Sequence, residues 1–483
     1  MANIRLQPTH ISTLDEILGG GIPQGSVVVL KGAPGSGKTI LASNWLCAGQ
    51  TTDNEPGLYI AATEPVERAL TNMSAFNFFS DDLVGNGKLQ FTDLTSIFHE
   101  LELTHKPTLS EDEINQIIIV IRNMVDRLQV KRVVFDSITA LLYMLESPGA
   151  VRNFIFKLGK TLSTLGATVV LISEGGDERI STVEDFIADG IIVMNTAMGG
   201  NSRIRKLEIT KMRGTTYRSG PVIFDITADG IIIFPKIPTY HLTAKTEFKN
   251  RISSGIAELD VLMNGGYPQG HMILFGGNTG SGKSTFAAEF LFDGINKGEP
   301  VVMVALAESV TQIKKNAVAR QWDFEKWEQS GLISFVTTDL VDINPDRLLY
   351  DIVHKVQEVG AKRVVIDSIS SMESGTFDKY QVREFMLQIA AFFKSQGITC
   401  IMTYLTTDMF GSSVGQLLGG TSSNELRLSS IVDGIVLLRY VERDQKIKKL
   451  LNILKMRGSE HDKSIREFSI NQHGIHIGEP FSG

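Results

Sequence analysis

The chain has 483 residues, 42% of them hydrophobic and 21% charged, with a formal net charge of −7. That is ordinary globular composition, long enough for two or three domains, and its acidic balance argues against a coat for nucleic acid or for an anionic membrane. Two cysteines, nine scattered histidines and no apolar run near the ~20 residues of a membrane span speak against a disulfide framework, a histidine metal site and a transmembrane segment. The N-terminus Met1-Ala2-Asn3-Ile4-Arg5-Leu6 has no apolar signal core, so a cytoplasmic location is expected.

In chain order, a prelude from Ile11 to Leu18 is broken by Gly19-Gly20-Gly21 and leads into the apolar strand Val27-Val28-Val29-Leu30. Gly32-Ala33-Pro34-Gly35-Ser36-Gly37-Lys38-Thr39 follows, and a helix opens at Ile40-Leu41. In a strand, glycine-rich loop and helix of this form, successive backbone N–H groups and the helix dipole close around a nucleotide's β-phosphate. Lysine at this spacing reaches the β- and γ-phosphates, and the hydroxyl after it ligates Mg²⁺. Gly35, Ser36, Gly37, Lys38, Thr39 and Ile40 are therefore the first candidate nucleotide contacts.

A buried strand, Leu58-Tyr59-Ile60-Ala61-Ala62, ends at Thr63-Glu64, where the Glu64 carboxylate is placed to orient a water or another hydroxyl for in-line attack. Ser110 and Glu113 form a capping box for a helix with Ile114, Ile117, Ile118, Ile121 and Val125 on one face. Val133-Val134-Phe135 is a strand ending in Asp136, expected in the neighbourhood of the loop strand, where its carboxylate would hold the Mg²⁺ hydration shell. Strands at Val169–Ile172 and Ile191–Met194 continue the alternation, and closely spaced strands from Arg203 to Phe234 suggest an antiparallel extension. There Lys211 and Arg213 flank Met212, so two cations share one face and suit the charge of a transferring phosphoryl group. Met212 and Thr215 join them as nucleotide-binding candidates.

The second half repeats the first. Gly277-Asn278-Thr279-Gly280-Ser281-Gly282-Lys283-Ser284 returns 245 residues after the first loop, the Asp136 strand returns as Arg363-Val364-Val365-Ile366-Asp367, and Lys211-Met212-Arg213-Gly214 returns unchanged as Lys455-Met456-Arg457-Gly458. Ordered matches at one long period mean a duplicated domain. The repeated candidates are Gly280, Ser281, Gly282, Lys283, Ser284, Thr285, Lys455, Met456 and Arg457 for nucleotide, and Glu308 for catalysis. Ser284, Glu308 and Asp367 are those for Mg²⁺, as Thr39 and Asp136 are in the first half. Near-continuous apolar strands alternating with helices imply an α/β fold, with two tandem P-loop domains built on mostly parallel sheets covered by helices. The expected divisions are a first domain at 1–236, a linker at 237–250 and a second domain at 251–483, with the boundary near Lys245.

As a set, the duplicated phosphate loops, the Val-Val-Phe/Ile-Asp-Ser strands, the Lys-Met-Arg-Gly strands and the ending Met456-Arg457-Gly458-Ser459-Glu460-His461-Asp462-Lys463 resemble the KaiC family. These are tandem RecA-like ATPases of the cyanobacterial circadian clock, with relatives outside it. The resemblance covers nearly the whole chain. It implies ATP and Mg²⁺ as cofactors and a homohexamer stacked as two rings, with ATP at each subunit interface. Lys211 and Arg213, like Lys455 and Arg457, would reach the neighbouring subunit's γ-phosphate. The first ring would be a steady ATPase and the second a serine/threonine autokinase and autophosphatase, signalling or timing through a KaiB-like or other signalling partner.

Leu428-Ser429-Ser430-Ile431-Val432-Asp433-Gly434-Ile435-Val436-Leu437-Leu438 matches the family's strand behind its phosphorylated pair, so the resemblance makes Ser429 and Ser430 the acceptors. On residue type alone, Ser-Ser before a strand is a turn or cap. Two departures stand out. Thr63 and Ala307 replace the first of two adjacent glutamates, so phosphotransfer is expected to be slow and to rest on Glu308. The chain ends at Phe481-Ser482-Gly483 without the tail that binds KaiA, which speaks against control by KaiA.

Two other readings remain open. A RecA-like recombinase or helicase motor needs loops with cations and stacking aromatics. Thr406–Leu426 has no Lys or Arg, and Ser173–Asp185 is acidic, so no nucleic acid partner is expected. An ATP-dependent scaffold without kinase activity fits the missing glutamates.

Overall fold

The computed structural model describes residues 4–11, 13–104, 106–145, 147–174, 187–199, 202–237, 250–318, 322–338, 344–373, 379–406, 428–443, 445–471 and 474–481. The chain divides into two compact units, Met1–Pro235 and Lys236–Gly483. Most of the expected linker, Lys245 included, lies outside the described residues, as does nearly all of the two loops weighed for nucleic acid.

Each unit is a nine-stranded sheet. In the first, the order across the sheet is Gly230–Phe234, Val222–Thr227, Ser202–Met212, Gly190–Gly199, Val27–Gly32, Thr168–Glu174, Arg132–Asp136, Gly57–Ala61 and Leu89–Asp93. The six strands from Gly190–Gly199 to Leu89–Asp93 are parallel, and the other three extend the sheet antiparallel. The second unit has the same order, with Met272–Gly277 as loop strand and Arg363–Asp367 as aspartate strand. The tandem α/β architecture expected from the strand–helix alternation is thus present in both halves.

Alternation of side chains decides the two faces. Val28, Leu30, Val134, Val170 and Ile172 pack with Leu41, Trp45 and Leu46 of the helix Lys38–Asp53. Val27, Val29, Val133, Phe135, Val169 and Leu171 pack on the other face with Ile117, Ile121, Phe154 and Leu158 of the helices Glu111–Arg127 and Pro148–Thr164. Strands buried on both sides read as continuous apolar runs, which explains their visibility in the sequence. The capping box on Glu111–Arg127 is complete, with both reciprocal hydrogen bonds formed.

One expectation is refined by the topology. The Asp136 strand is not beside the loop strand; Thr168–Glu174 lies between them. The carboxylate therefore approaches the loop across one intervening strand.

Candidate functional site

In the first loop, Gly35 and Gly37 have φ of 76° and 101°, conformations that a side chain would strain, and they turn the chain into the helix Lys38–Asp53. Lys38 Nζ donates to the carbonyls of Gly32 at 2.7 Å and Ala33 at 3.0 Å, which folds the ammonium over the loop. The second loop repeats this with Gly280 at 76°, Gly282 at 108°, and Lys283 Nζ on Gly277 at 2.8 Å and Asn278 at 2.9 Å. Burial lowers both lysine pKa values; the carboxylates of Glu174 and Asp136 oppose this at Lys38, and that of Asp367 at Lys283. Ser36 and Ser281 are buried with hydroxyl oxygens that lack a partner in both loops, as a cradle awaiting phosphate oxygens requires. Ile40 follows on the helix, partly buried against the core, and Thr285 takes the same place in the second unit.

Asp136 is brought to the loop as expected. Its Oδ2 accepts from Thr39 Oγ1 at 2.6 Å and from Tyr59 OH at 2.7 Å. Tyr59 is 1% exposed, and its phenol pKa is raised by burial and then by Asp136. Asp367 is held differently, by Thr403 Oγ1 from the strand on its other side. The oxygen donors of Thr39 with Asp136, and of Ser284 with Asp367, are the hard ligands that suit Mg²⁺ beside phosphates. Neither Tyr59 nor Thr403 was singled out from sequence; a polar group inside an apolar strand was the available signal.

Glu64 lies just past its strand, where its carboxylate accepts from Asn72 Nδ2 at 3.4 Å and lies 3.7 Å from Arg68 Nε. Glu308 is matched by Asn316 Nδ2 at 3.3 Å. The asparagine stands eight residues after the glutamate in both halves, a repeat present in the sequence whose role only the contact shows.

The Lys-Met-Arg residues stand at the end of their strands away from their own loops; in the second unit it is Lys449, earlier on the same strand, whose Nζ reaches the loop at Gly280 O, 3.3 Å away. Met212 pairs with Gly190, which pairs with Val28, whereas the loop begins after Gly32. Four residues of parallel strand place Met212 ~13 Å back along the sheet. A register shift opposite Ile191/Ile192 puts Thr210 in a bulge, and one opposite Ile435/Val436 does so for Leu454. The bulge re-aims the strand end. Met212 and Met456 turn into the core, Lys211 is half-buried, and Arg213 is exposed with Nη1 3.5 Å from Asp189. Thr215 Oγ1 donates to Leu18 O at 3.0 Å, so its hydroxyl is engaged within the fold.

At the equivalent strand end of the second unit, Lys455 Nζ donates to Ser429 O at 2.5 Å and Val432 O at 2.8 Å, and Arg457 donates to Ser430 O at 2.8 Å. Burial, and then Arg457, lowers the Lys455 pKa. Ser429 and Ser430 sit exposed in the turn Leu428–Ser430. The structure thus joins two features that are 26 residues apart in sequence.

A family model described as "ATPase: KaiC" matches residues 7–237 and, a second time, 252–482. The chain belongs to the KaiC ATPase family. It is 33% identical to the circadian clock oscillator protein KaiC of Acaryochloris marina over 477 residues, 98% of this chain and 88% of that protein. It is 33% identical to the circadian clock protein KaiC3 of Synechocystis sp. over 479 residues, 98% of this chain and 92% of the relative. It is 32% identical to KaiC of Thermostichus vulcanus over 484 residues, 99% and 90% of the two chains. KaiC-family membership identifies a P-loop ATPase fold and implies ATP as the nucleotide. Among the described residues, no helix is long and apolar enough to cross a membrane.

Proposed function

We propose that six copies of this chain form an ATP-dependent double ring that acts as a signalling or timing module. The first unit hydrolyses ATP, and the second transfers phosphate from ATP to Ser429 or Ser430 of an adjacent subunit. One observation carries this reading: the serine pair is tied to Lys455 and Arg457 at the ends of two interior strands, on the side of the sheet remote from its own phosphate loop. Gly434 pairs with Ile273, four residues before Gly277, so the serines lie at least ~13 Å behind their own loop along the sheet. Transfer needs an oxygen within about 3–3.5 Å of phosphorus, and a neighbour's nucleotide meets that need where the chain's own cannot.

The roles follow from the chemistry of the groups. Lys38 and Lys283 neutralise phosphate charge, and Mg²⁺, held through Thr39 with Asp136 and Ser284 with Asp367, supplies further charge neutralisation when bound. Glu308 takes the serine proton in the second unit, and Glu64 takes a water proton in the first. The neighbour's Lys-Met-Arg cations meet the charge that develops on the transferring group. The first unit cannot copy the kinase step, because Asp185 and Phe186 stand where the second has Ser429 and Ser430.

The test mixes two variants in one ring. Lys283→Ala chains keep the serines but lose the donor site; chains with Ser429→Ala and Ser430→Ala keep the donor site only. Label from γ-labelled ATP is expected on Lys283→Ala chains in mixed rings and not on either variant alone. Unmodified serines in an assembled, ATP-hydrolysing wild-type ring would leave an ATPase scaffold.

A further inference from the structure

Among the differences between the two units, one lies directly beside the phosphate loop, on the strand that neighbours it. In the first, Gly32 pairs in register with Glu174, the last residue of its neighbouring strand. In the second, Gly277 pairs with Leu405. The backbones are fixed alike: the N–H of Glu174 donates to Thr139 Oγ1 at 3.0 Å, and that of Leu405 to Ser370 Oγ at 2.6 Å. Only the side chain changes.

Its direction follows from alternation. Glu174 shares the face of Val170 and Ile172, which packs against the helix that begins with Lys38 and Thr39. Asp136 is on that same face through Val134. Glu174 thus stands over the loop, two residues further along the sheet than Asp136. The field at Lys38 agrees, since Glu174 precedes Asp136 among the carboxylates that favour its charged form. The Glu174 side chain is exposed rather than packed, and Leu405 projects 42% exposed at the matching place.

We propose that this position selects the phosphoryl acceptor. The idea rests on the reading above, in which the first unit hydrolyses ATP and the second phosphorylates serine. Glu174 accepts a hydrogen bond from the attacking water and points its lone pair at the γ-phosphorus. The water oxygen bonds to phosphorus, the β–γ bridging bond breaks with its electron pair going to ADP, and one water proton passes to Glu64. The products are ADP and inorganic phosphate. At Leu405 an apolar side chain offers water no partner, so the serine hydroxyl meets less competition. An extra carboxylate beside phosphates also repels them, so Glu174 weakens ATP binding while it speeds turnover.

The experiment uses the full chain, with Lys283→Ala added to isolate the first site and Lys38→Ala to isolate the second. Glu174→Leu is expected to lower the kcat for phosphate release roughly tenfold or more, with KM for ATP unchanged or reduced. Glu174→Gln, whose amide oxygen still accepts from water, is expected to recover part of the rate. Leu405→Glu is expected to shift product in the second site from protein-bound to free phosphate. Wild-type turnover in Glu174→Leu overturns the proposal, and so does loss of ATP binding together with turnover, which marks a structural role. An unchanged product ratio in Leu405→Glu also overturns it. Failure of the underlying reading looks different: Lys38→Ala alone would then release phosphate as fast as wild type.

Discussion

At the scale of single residues, both sites rest on charged or polar groups held in partly buried places by a few hydrogen bonds. Lys38 and Lys283 each donate to two carbonyls of their loop, so a Lys→Ala change at either removes the charge folded over the place where the phosphates bind. Each substitution is expected to remove one bound nucleotide per chain, read by equilibrium dialysis, and full ATPase activity in the double variant would contradict the assignment. Tyr59 offers a separate test. Its phenol is buried and its pKa pushed up, so it donates to Asp136 across the usable pH range. Tyr59→Phe removes that donor without changing the ring, and should cost about 1–2 kcal/mol in urea unfolding because the carboxylate loses a buried partner. The equivalent bond to Asp367 comes from Thr403, so Thr403→Val should show the same loss in the second unit.

At the scale of elements, ends and joints carry the specific interactions. Arg132 is fully buried at the start of the aspartate strand, where it donates to Glu55 at 2.7 Å, Asp53 at 3.0 Å, Trp45 O at 2.8 Å and Pro8 O at 2.9 Å. It ties the N-terminal segment, the end of the phosphate-loop helix and the aspartate strand together; Arg363 repeats the device with Glu299, Asp293 and Phe290 O. Arg132→Met leaves two carboxylates without their cation and should cost about 3–5 kcal/mol, measured as a shift in the denaturant midpoint. The capping box is a milder case. Ser110→Ala should cost about 1 kcal/mol at neutral pH. Glu113 of that box is held at about 2 by Lys106 and then by Ser110, below its ordinary 4.5. A lowered carboxyl pKa means the folded state binds fewer protons than the unfolded state, so this contribution is complete above 4.5 and fades as pH falls toward about 2. The difference between wild type and Ser110→Ala should therefore shrink between pH 5 and about 2 in thermal unfolding.

At the scale of the whole molecule, the Lys-Met-Arg ends of the strands are the informative feature, because Lys211, Arg213, Lys455 and Arg457 lie about four residues of strand back from their own phosphate loops. Under the proposed function, a nucleotide shared between subunits adds its binding energy to the assembled state alone. Light scattering should give a mass near six times 53.1 kDa with ATP and Mg²⁺, and a lower mass without nucleotide. An unchanged monomer under both conditions would count against assembly. By itself the sequence determined what depends on neighbours along the chain. The loop follows from glycine spacing, the buried strands from continuous apolar runs, the capping box from Ser110 and Glu113, and the duplication from ordered repeats. Those patterns are local, so a residue's identity and spacing carry them directly. Strand order is not local. It is set by which apolar faces and hydrogen-bond ladders fit together across the sheet, and only the tertiary structure decided that Thr168–Glu174 separates the loop strand from Asp136. The same long-range pairing put Tyr59 on Asp136, stood Glu174 beside Gly32, and joined Lys455 and Arg457 to Ser429 and Ser430. Each is a contact between residues on different strands or turns, and no periodicity within one element can specify its partner in another.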